Sequence, residues 1–334
     1  MKKKLVFKEK YISYLIIIAM FAASVIMIKT GTASRKLQSW LVPICINIIL
    51  AVSLNLTVGF LGELTLGHAG FMSVGAYAGC IFSQAVQNVM PAAVRFPLAI
   101  LVGGLAAALF SVIIGVPVLR LKGDYLAIVT LAFGEIVKSI IINLNITGGA
   151  AGLRGTPQDS NYVWAFGLAL LTVVVISNLT ESGQGRAIKA IRDNRIAAEA
   201  SGIDVTYYRL MAFVIAAFFA GVAGVLYGHN YSITSAGTFD YNKSIEILVL
   251  VVLGGLGSIR GSIIAATLLY ILPEVLRDLQ DYRMIIYSVV LILIMIINSS
   301  EQFSSVKELL DIRKAFRKVF SGKKKGEAVN DQEQ

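Results

Sequence analysis

The sequence predicts an all-α polytopic membrane protein: a bundle of about ten transmembrane or broken helices, with both termini cytoplasmic. Three observations carry that prediction. The first is composition. Of 334 residues, 56% are hydrophobic and only 15% charged, with a mean hydropathy of +0.75, whereas soluble domains hold roughly 25% charged residues. The second is a series of ten apolar runs, at about 11–28, 41–61, 66–86, 96–119, 125–144, 162–180, 208–228, 244–258, 262–276 and 284–298. Most approach the ~20 residues that cross a bilayer as a helix. The third is the placement of lysine and arginine. With the N-terminus in the cytoplasm, 21 fall on inside segments and 8 on outside segments, while Lys138 lies within a run; this is the bias that orients membrane helices.

The net charge of +10 follows from the same placement. The cations sit at the tails and between apolar runs, which argues for membrane orientation and against a nucleic-acid partner. Cys45 and Cys80 both lie inside apolar runs and read as small buried hydrophobes.

Taken in order, residues 1–10 form a basic cytoplasmic N-terminus, KKKLVFKEK after Met1. The run that follows is longer than a signal-peptide core and ends in a poor cleavage site, so it reads as a retained first span. The membrane domain is 11–298. The third, eighth and ninth runs are the weakest, being short or rich in glycine. The tail, 299–334, mixes charges and turns polar, predicting an interfacial helix followed by disorder.

The third run and the segment before it read NLTVGFLGELTLGHAGFMSVGAYAGC from Asn55 to Cys80. Gly59, Gly62, Gly67 and Gly70 surround Glu63 and His68. Unwound backbone at membrane depth is tolerated only where it lines a cavity or is covered by protein, and transporter sites are built at such broken helices. Gly75 and Gly79, like Gly224 and Gly228, and Gly257 and Gly261, form small-xxx-small pairs that let helices approach closely.

LRLKGDYLAIVTLAFGEIVK, Leu119 to Lys138, opens the fifth run at Gly123 and Asp124. Glu135 and Lys138 stand three residues apart on one helix face, an ion-pair spacing. A charge inside a membrane is by default partnered and faces inward. Candidate pathway residues from these blocks are Asn55, Glu63, Gly67, His68, Thr130 and Glu135. TGGAAGLRGTP, from Thr147, is an outside loop, and VVLGGLGSIRGS, from Val251, a tight cytoplasmic turn.

Between the sixth and seventh runs lies ESGQGRAIKAIRDNRIAAEASGIDVTYYR, Glu181 to Arg209. Residues 181–207 form a cytoplasmic loop. Its helical part is expected from Arg186 to Ser201 and stops at Gly202 in the left-handed conformation. Arg192, Arg195 and Glu199 share one face. Ala187, Ile191 and Ala198 face elsewhere. The pattern suits docking into a groove on a partner protein or lying on anionic lipid. The chain has no G-x-x-x-x-G-K-[ST] phosphate loop, no cluster for nucleophilic catalysis, and no metal-ligand spacing around His68 and His229. It reads as neither an enzyme nor a metal protein.

GRAIKAIRDNRIAAEASGIDVTYYRLMAFVIAAFFAGVAGVLYG resembles the coupling region of the LivM-type permease subunits of branched-chain amino acid ABC transporters. LTLGHAGFMSVGAYA, LRLKGDYLAIVTLAFGEI, TGGAAGL and VVLGGLGSIRGS resemble four further blocks of that family, in its order, from about Asn55 to Ser262. In ABC importers a cytoplasmic loop written EAA---G meets the ATPase. Ala197, Ala198 and Gly202 match its A-A-x-x-x-G portion, and Ile196 stands in place of the glutamate, as is common in the LivM type. The family's short P-x-G-L-like end is replaced here by NSSEQFSSVKELL.

The resemblance implies half of a translocation pathway for branched-chain or other hydrophobic amino acids in a bacterial plasma (inner) membrane. It implies a second related permease subunit, two cytoplasmic ATPase subunits that bind the ATP, and an extracellular or periplasmic substrate-binding protein. This chain itself would hold no cofactor. Coupling residues implied in the loop are Arg186, Arg192, Asp193, Arg195, Ala197, Ala198, Glu199 and Gly202. Related permeases carry urea, short amides or sugars. The other class open from the residues alone is a self-contained ion-coupled transporter using Glu63, His68 or Glu135.

Overall fold

The computed structural model describes residues 35–121, 123–276, 288, 289 and 292. The first expected span and the two terminal segments lie outside them, as does nearly all of 284–298. The chain divides into Met1–Ile271, which holds the bundle, and Leu272–Gln334.

Ten α-helices of 6 to 27 residues follow in order among the described residues. Helix α1, Arg35–Asn55, runs without interruption into a π-helical turn, Leu56–Phe60. An irregular stretch leads to α2, His68–Ala85. Then come α3, Ala92–Val118, and α4, Asp124–Asn143, which starts behind Gly123 at φ 56° with Asp124 in its first turn, where a carboxylate meets the positive end of the helix. Two 3₁₀ turns and a short strand β1, Leu153–Arg154, precede α5, Tyr162–Glu181. Two short helices, α6 (Gly183–Asp193) and α7 (Arg195–Ala200), lead to α8, Val205–Asn230. Strand β2, Ile233–Thr234, pairs antiparallel with β1. Helices α9, Tyr241–Gly254, and α10, Ile259–Val275, complete the series.

Five of these are long and apolar enough to cross a membrane: Ser39–Phe60, α3, α4, α5 and α8. The three weak runs of the sequence became α2, α9 and α10, of 18, 14 and 17 residues. At about 1.5 Å per residue, the 14 residues of α9 reach through only about two thirds of the ~30 Å hydrocarbon core.

The core sits on α1, α2 and α8. In the apolar stretches of α1 and α8, 83% and 67% of residues are buried, against 33–39% in α3, α4 and α5. Small residues cause that closeness. A Cβ at Gly75 would fall on the backbone of Gly221, and one at Gly224 on the carbonyl of Met72. In lipid such contact replaces the hydrophobic drive that packs soluble helices. The outward faces of α3 and α4 carry Leu105, Leu109, Ile113, Ile128 and Ile136, all exposed, as suits a lipid-facing or partner-facing rim. Cys45 and Cys80 are free and buried.

Candidate functional site

A polar network lies at one end of the bundle, where the end of α1, the π-turn, α8 and the α9–α10 turn come together beside the loop 181–207. The expected single helix from Arg186 to Ser201 is two helices. Asn194 breaks it: its backbone is extended at φ −156° and ψ 104°, and its side-chain oxygen accepts the Ala197 N–H at 3.0 Å. An N-cap of this kind satisfies one of the donors that a helix start leaves open. Helix α6 starts likewise on Ser182, whose hydroxyl accepts the Gly185 N–H at 3.3 Å. Gly202 ends α7 at φ 82°, with the Ile203 N–H on the Ala198 carbonyl at 3.1 Å and the Gly202 N–H on Glu199 at 3.0 Å, a left-handed stop of the Schellman kind.

Ile188 and Ile191 bury one face of α6, together with Ala187. The α7 helix stands out: Ile196 is 81% exposed, and of its six residues only Ala198 is buried. Arg186, Asp193, Ala197 and Glu199 are exposed, and Arg192 lies against Asp193 at 3.0 Å.

Two arginines that flank α7 in sequence, Arg192 on α6 and Arg209 on α8, hold the stretch between α1 and α2. Arg192 donates from Nη1 to the Gly59 carbonyl in the π-turn at 3.2 Å. Arg209, in the second turn of α8, forms an ion pair with Glu63 and donates to the Leu121 carbonyl at 3.3 Å. Burial pushes the Glu63 carboxyl up from its ordinary value, and the Arg209 guanidinium pulls it back. Lys189 lies 5.4 Å above the Phe60 ring. The segment Gly59–Glu63 is thus held at one end by Arg192 from the loop and at the other by Arg209 from α8.

That segment is fastened in turn to the α9–α10 turn. The Gly257 N–H donates to Asn55 Oδ1 at 2.8 Å, and Asn55 Nδ2 donates to the Ser262 hydroxyl at 2.8 Å. Gly257 adopts φ 77°, and a Cβ at Gly59 would fall on its amide nitrogen. Two glycines therefore permit one backbone to cross another, with the fully buried Asn55 bridging them. A π-turn carries wider, more deformable hydrogen bonding than an α-helix and recurs at functional sites.

The remaining candidate residues sit higher in the bundle. His68 Nε2 meets the Ser53 hydroxyl at 2.9 Å, both buried. The Thr130 hydroxyl accepts the Leu66 N–H at 3.0 Å, and a Cβ at Gly67 would press on the Thr130 carbonyl at 2.7 Å. Gly67, His68 and Thr130 therefore cluster at the start of α2. Glu135 lies apart from them. It pairs with Lys138 at 3.3 Å and accepts the Tyr241 N–H, at the head of α9, at 3.0 Å. Sequence reasoning passed over Arg209 as the partner of Glu63 and over the Asn55 bridge. The closely spaced glycines signalled that a backbone approach was needed, but not which segment approached.

A bundle with five helices long and apolar enough to span a membrane, shorter helices beside them and a pair of capped helices at one end defines an all-α membrane protein. Residues 36–297 match the family described as branched-chain amino acid transport system / permease component. The chain belongs to that family. It is 34% identical over 317 residues to the high-affinity branched-chain amino acid transport system permease protein LivM of Salmonella typhimurium, covering 84% of this chain and 72% of the relative. It is 35% identical over 286 residues to LivM of Escherichia coli, covering 75% of this chain and 66% of the relative. Against the permease protein LivH of Escherichia coli it is 30% identical over 133 residues, 39% of this chain and 42% of the relative. No solved structure matches the chain.

Proposed function

We propose that the chain is one of two unlike permease subunits of an ATP-driven importer for branched-chain or other hydrophobic amino acids, in a bacterial plasma membrane with both termini cytoplasmic. Two cytoplasmic ATPase subunits hold the ATP and bear on α7 and the exposed side of α6. A substrate-binding protein delivers the solute to the opposite face. The observation that carries this reading is the short, exposed α7, held between two arginines that both reach the segment Gly59–Glu63.

Displacement of α6 and α7 is delivered through Arg192 to Gly59 and through Arg209 to Glu63. The π-turn yields, and Asn55 carries the shift to the α9–α10 turn. Arg186, Asp193, Arg195, Ala197, Ala198, Glu199 and Gly202 form or shape the docking surface. Gly67, His68 and Thr130, with Glu135 further along α4, border the half-pathway. The pairing of Glu63 with Arg209 and of Glu135 with Lys138 favours acids that hold shape over acids that relay protons.

Ile196→Asp tests the reading. A charge set into an interface core should weaken ATPase co-purification by roughly tenfold or more, the scale of ~1.4 kcal/mol, and lower ATP-driven leucine uptake with it. Unchanged co-purification and uptake would reject α7 as the docking element.

A further inference from the structure

A second basic feature lies on the outer side of the same region. A cavity of about 350 Å³ opens between the end of α3 and the start of α8, and three guanidiniums line it: Arg120, Arg195 and Arg209. Arg209 is balanced by Glu63. Arg120 and Arg195 have no ion pair among the described residues. The nearby Asp204 caps α8, accepting the Tyr207 N–H at 3.0 Å. Three guanidiniums thus stand against one carboxylate, Glu63, on which Arg195 also acts, and the cavity keeps a net excess of two positive charges.

Its other wall is apolar. Val116 and Leu210 line it alongside Gly115 and Leu119. Val116 is 51% exposed and follows Leu109 and Ile113, at 60% and 61%, along one outward side of α3. That helix is long and apolar enough to cross a membrane, and Arg120 stands two residues beyond its end. A ligand filling the cavity meets guanidiniums at its head and, beside them, an apolar wall continuous with the exposed apolar side of α3.

We infer that this cavity binds the phosphate headgroup of an anionic phospholipid from the cytoplasmic leaflet, with an acyl chain against Val116 and Leu210. Guanidinium forks match phosphate oxygens in geometry and charge, and basic pockets between membrane helices on the cytoplasmic side are the known form of such sites. An ATPase carboxylate would satisfy the charge but leave the apolar wall uncovered. The inference takes from the functional reading only the placement of this end in the cytoplasm. Because Arg195 opens α7, a lipid held here would also brace the docking helix.

The test uses the full chain, purified in mild detergent together with the subunits that accompany it. Mass spectrometry of the native protein should show phosphatidylglycerol retained, and Arg120→Gln should reduce that retention at least several-fold. Added phosphatidylglycerol should raise the melting temperature of the native chain. Phosphatidylcholine should not, and neither should inorganic phosphate at the same concentration; the shift should vanish in Arg120→Gln. A matching shift with inorganic phosphate would overturn the lipid and leave a free-anion site. Equal retention by both proteins would overturn the site, as would loss of ATPase co-purification with lipid content unchanged. None of the lipid readouts depends on transport, so a chain that fails to import leucine yet loses its lipid in Arg120→Gln would reject the functional reading and uphold the inference.

Discussion

Removing the Arg209 guanidinium leaves the Glu63 carboxyl held among buried side chains with its counter-charge gone. The two side chains are 4% and 16% exposed, so water screens them poorly. Breaking such a pair from one side costs about 3–5 kcal/mol, largely because a charge is stranded. Arg209→Ala should therefore lower the melting temperature of the purified chain sharply. Glu63→Gln should cost less, because burial already works against the charged carboxyl and the amide still offers an oxygen to Arg209. Equal losses in the two variants would show that the ion pair is not what holds the segment. Asn55 makes a different test. Its alanine variant removes both bonds to the α9–α10 turn, and ATP hydrolysis should persist while leucine taken up per ATP falls severalfold. Proportional loss of both activities would mean that Asn55 supports only the fold.

At the scale of elements, the sequence announced helices better than it announced their breaks. The apolar runs gave α3, α4, α5 and α8 because a helix that crosses a bilayer must be apolar along most of its length, whether it faces lipid or the bundle core. The loop helix was read as continuous because Asn194 sits in a good helical pattern. Only its extended backbone and the bond to Ala197 reveal a second N-terminus. The π-turn was equally hidden, since no residue type marks one extra residue in a turn. The Glu135–Lys138 pair was legible from spacing alone, while Glu63–Arg209 joins residues far apart in sequence and no local pattern encodes it. Glycine spacing did foretell a close helix approach, though not that Gly75 of α2 would meet Gly221 of α8. Gly224→Leu should force those helices apart and destabilise by at least about 2 kcal/mol, as overpacking does. Gly167→Leu on α5, where a Cβ meets nothing within 4 Å, should leave the melting temperature unchanged. If both variants melt alike, close packing of α2 on α8 is not what the bundle depends on.

For the whole molecule the decisive quantity is orientation, because every role proposed for the loop requires it to face the ATPases. The structure places the loop 181–207 and the β1–β2 pair at opposite ends of α8, since α8 starts at Val205, just after the loop, and ends at Asn230, just before β2. At 26 residues and about 1.5 Å per residue, that helix is longer than the ~30 Å hydrocarbon core, so as a span it sets its two ends on opposite sides of the membrane. The lysine and arginine bias then chooses which side is which. Gln184→Cys, exposed on the first turn of α6, and Ile233→Cys, 46% exposed on β2, turn that into a measurement, and the buried native thiols supply a quiet background. A membrane-impermeant maleimide should label Ile233→Cys in intact cells and Gln184→Cys only in inside-out vesicles. The reverse pattern would set α7 on the far side from any ATPase and end the coupling proposal. Labelling of both from one side would mean that α8 does not span the membrane at all.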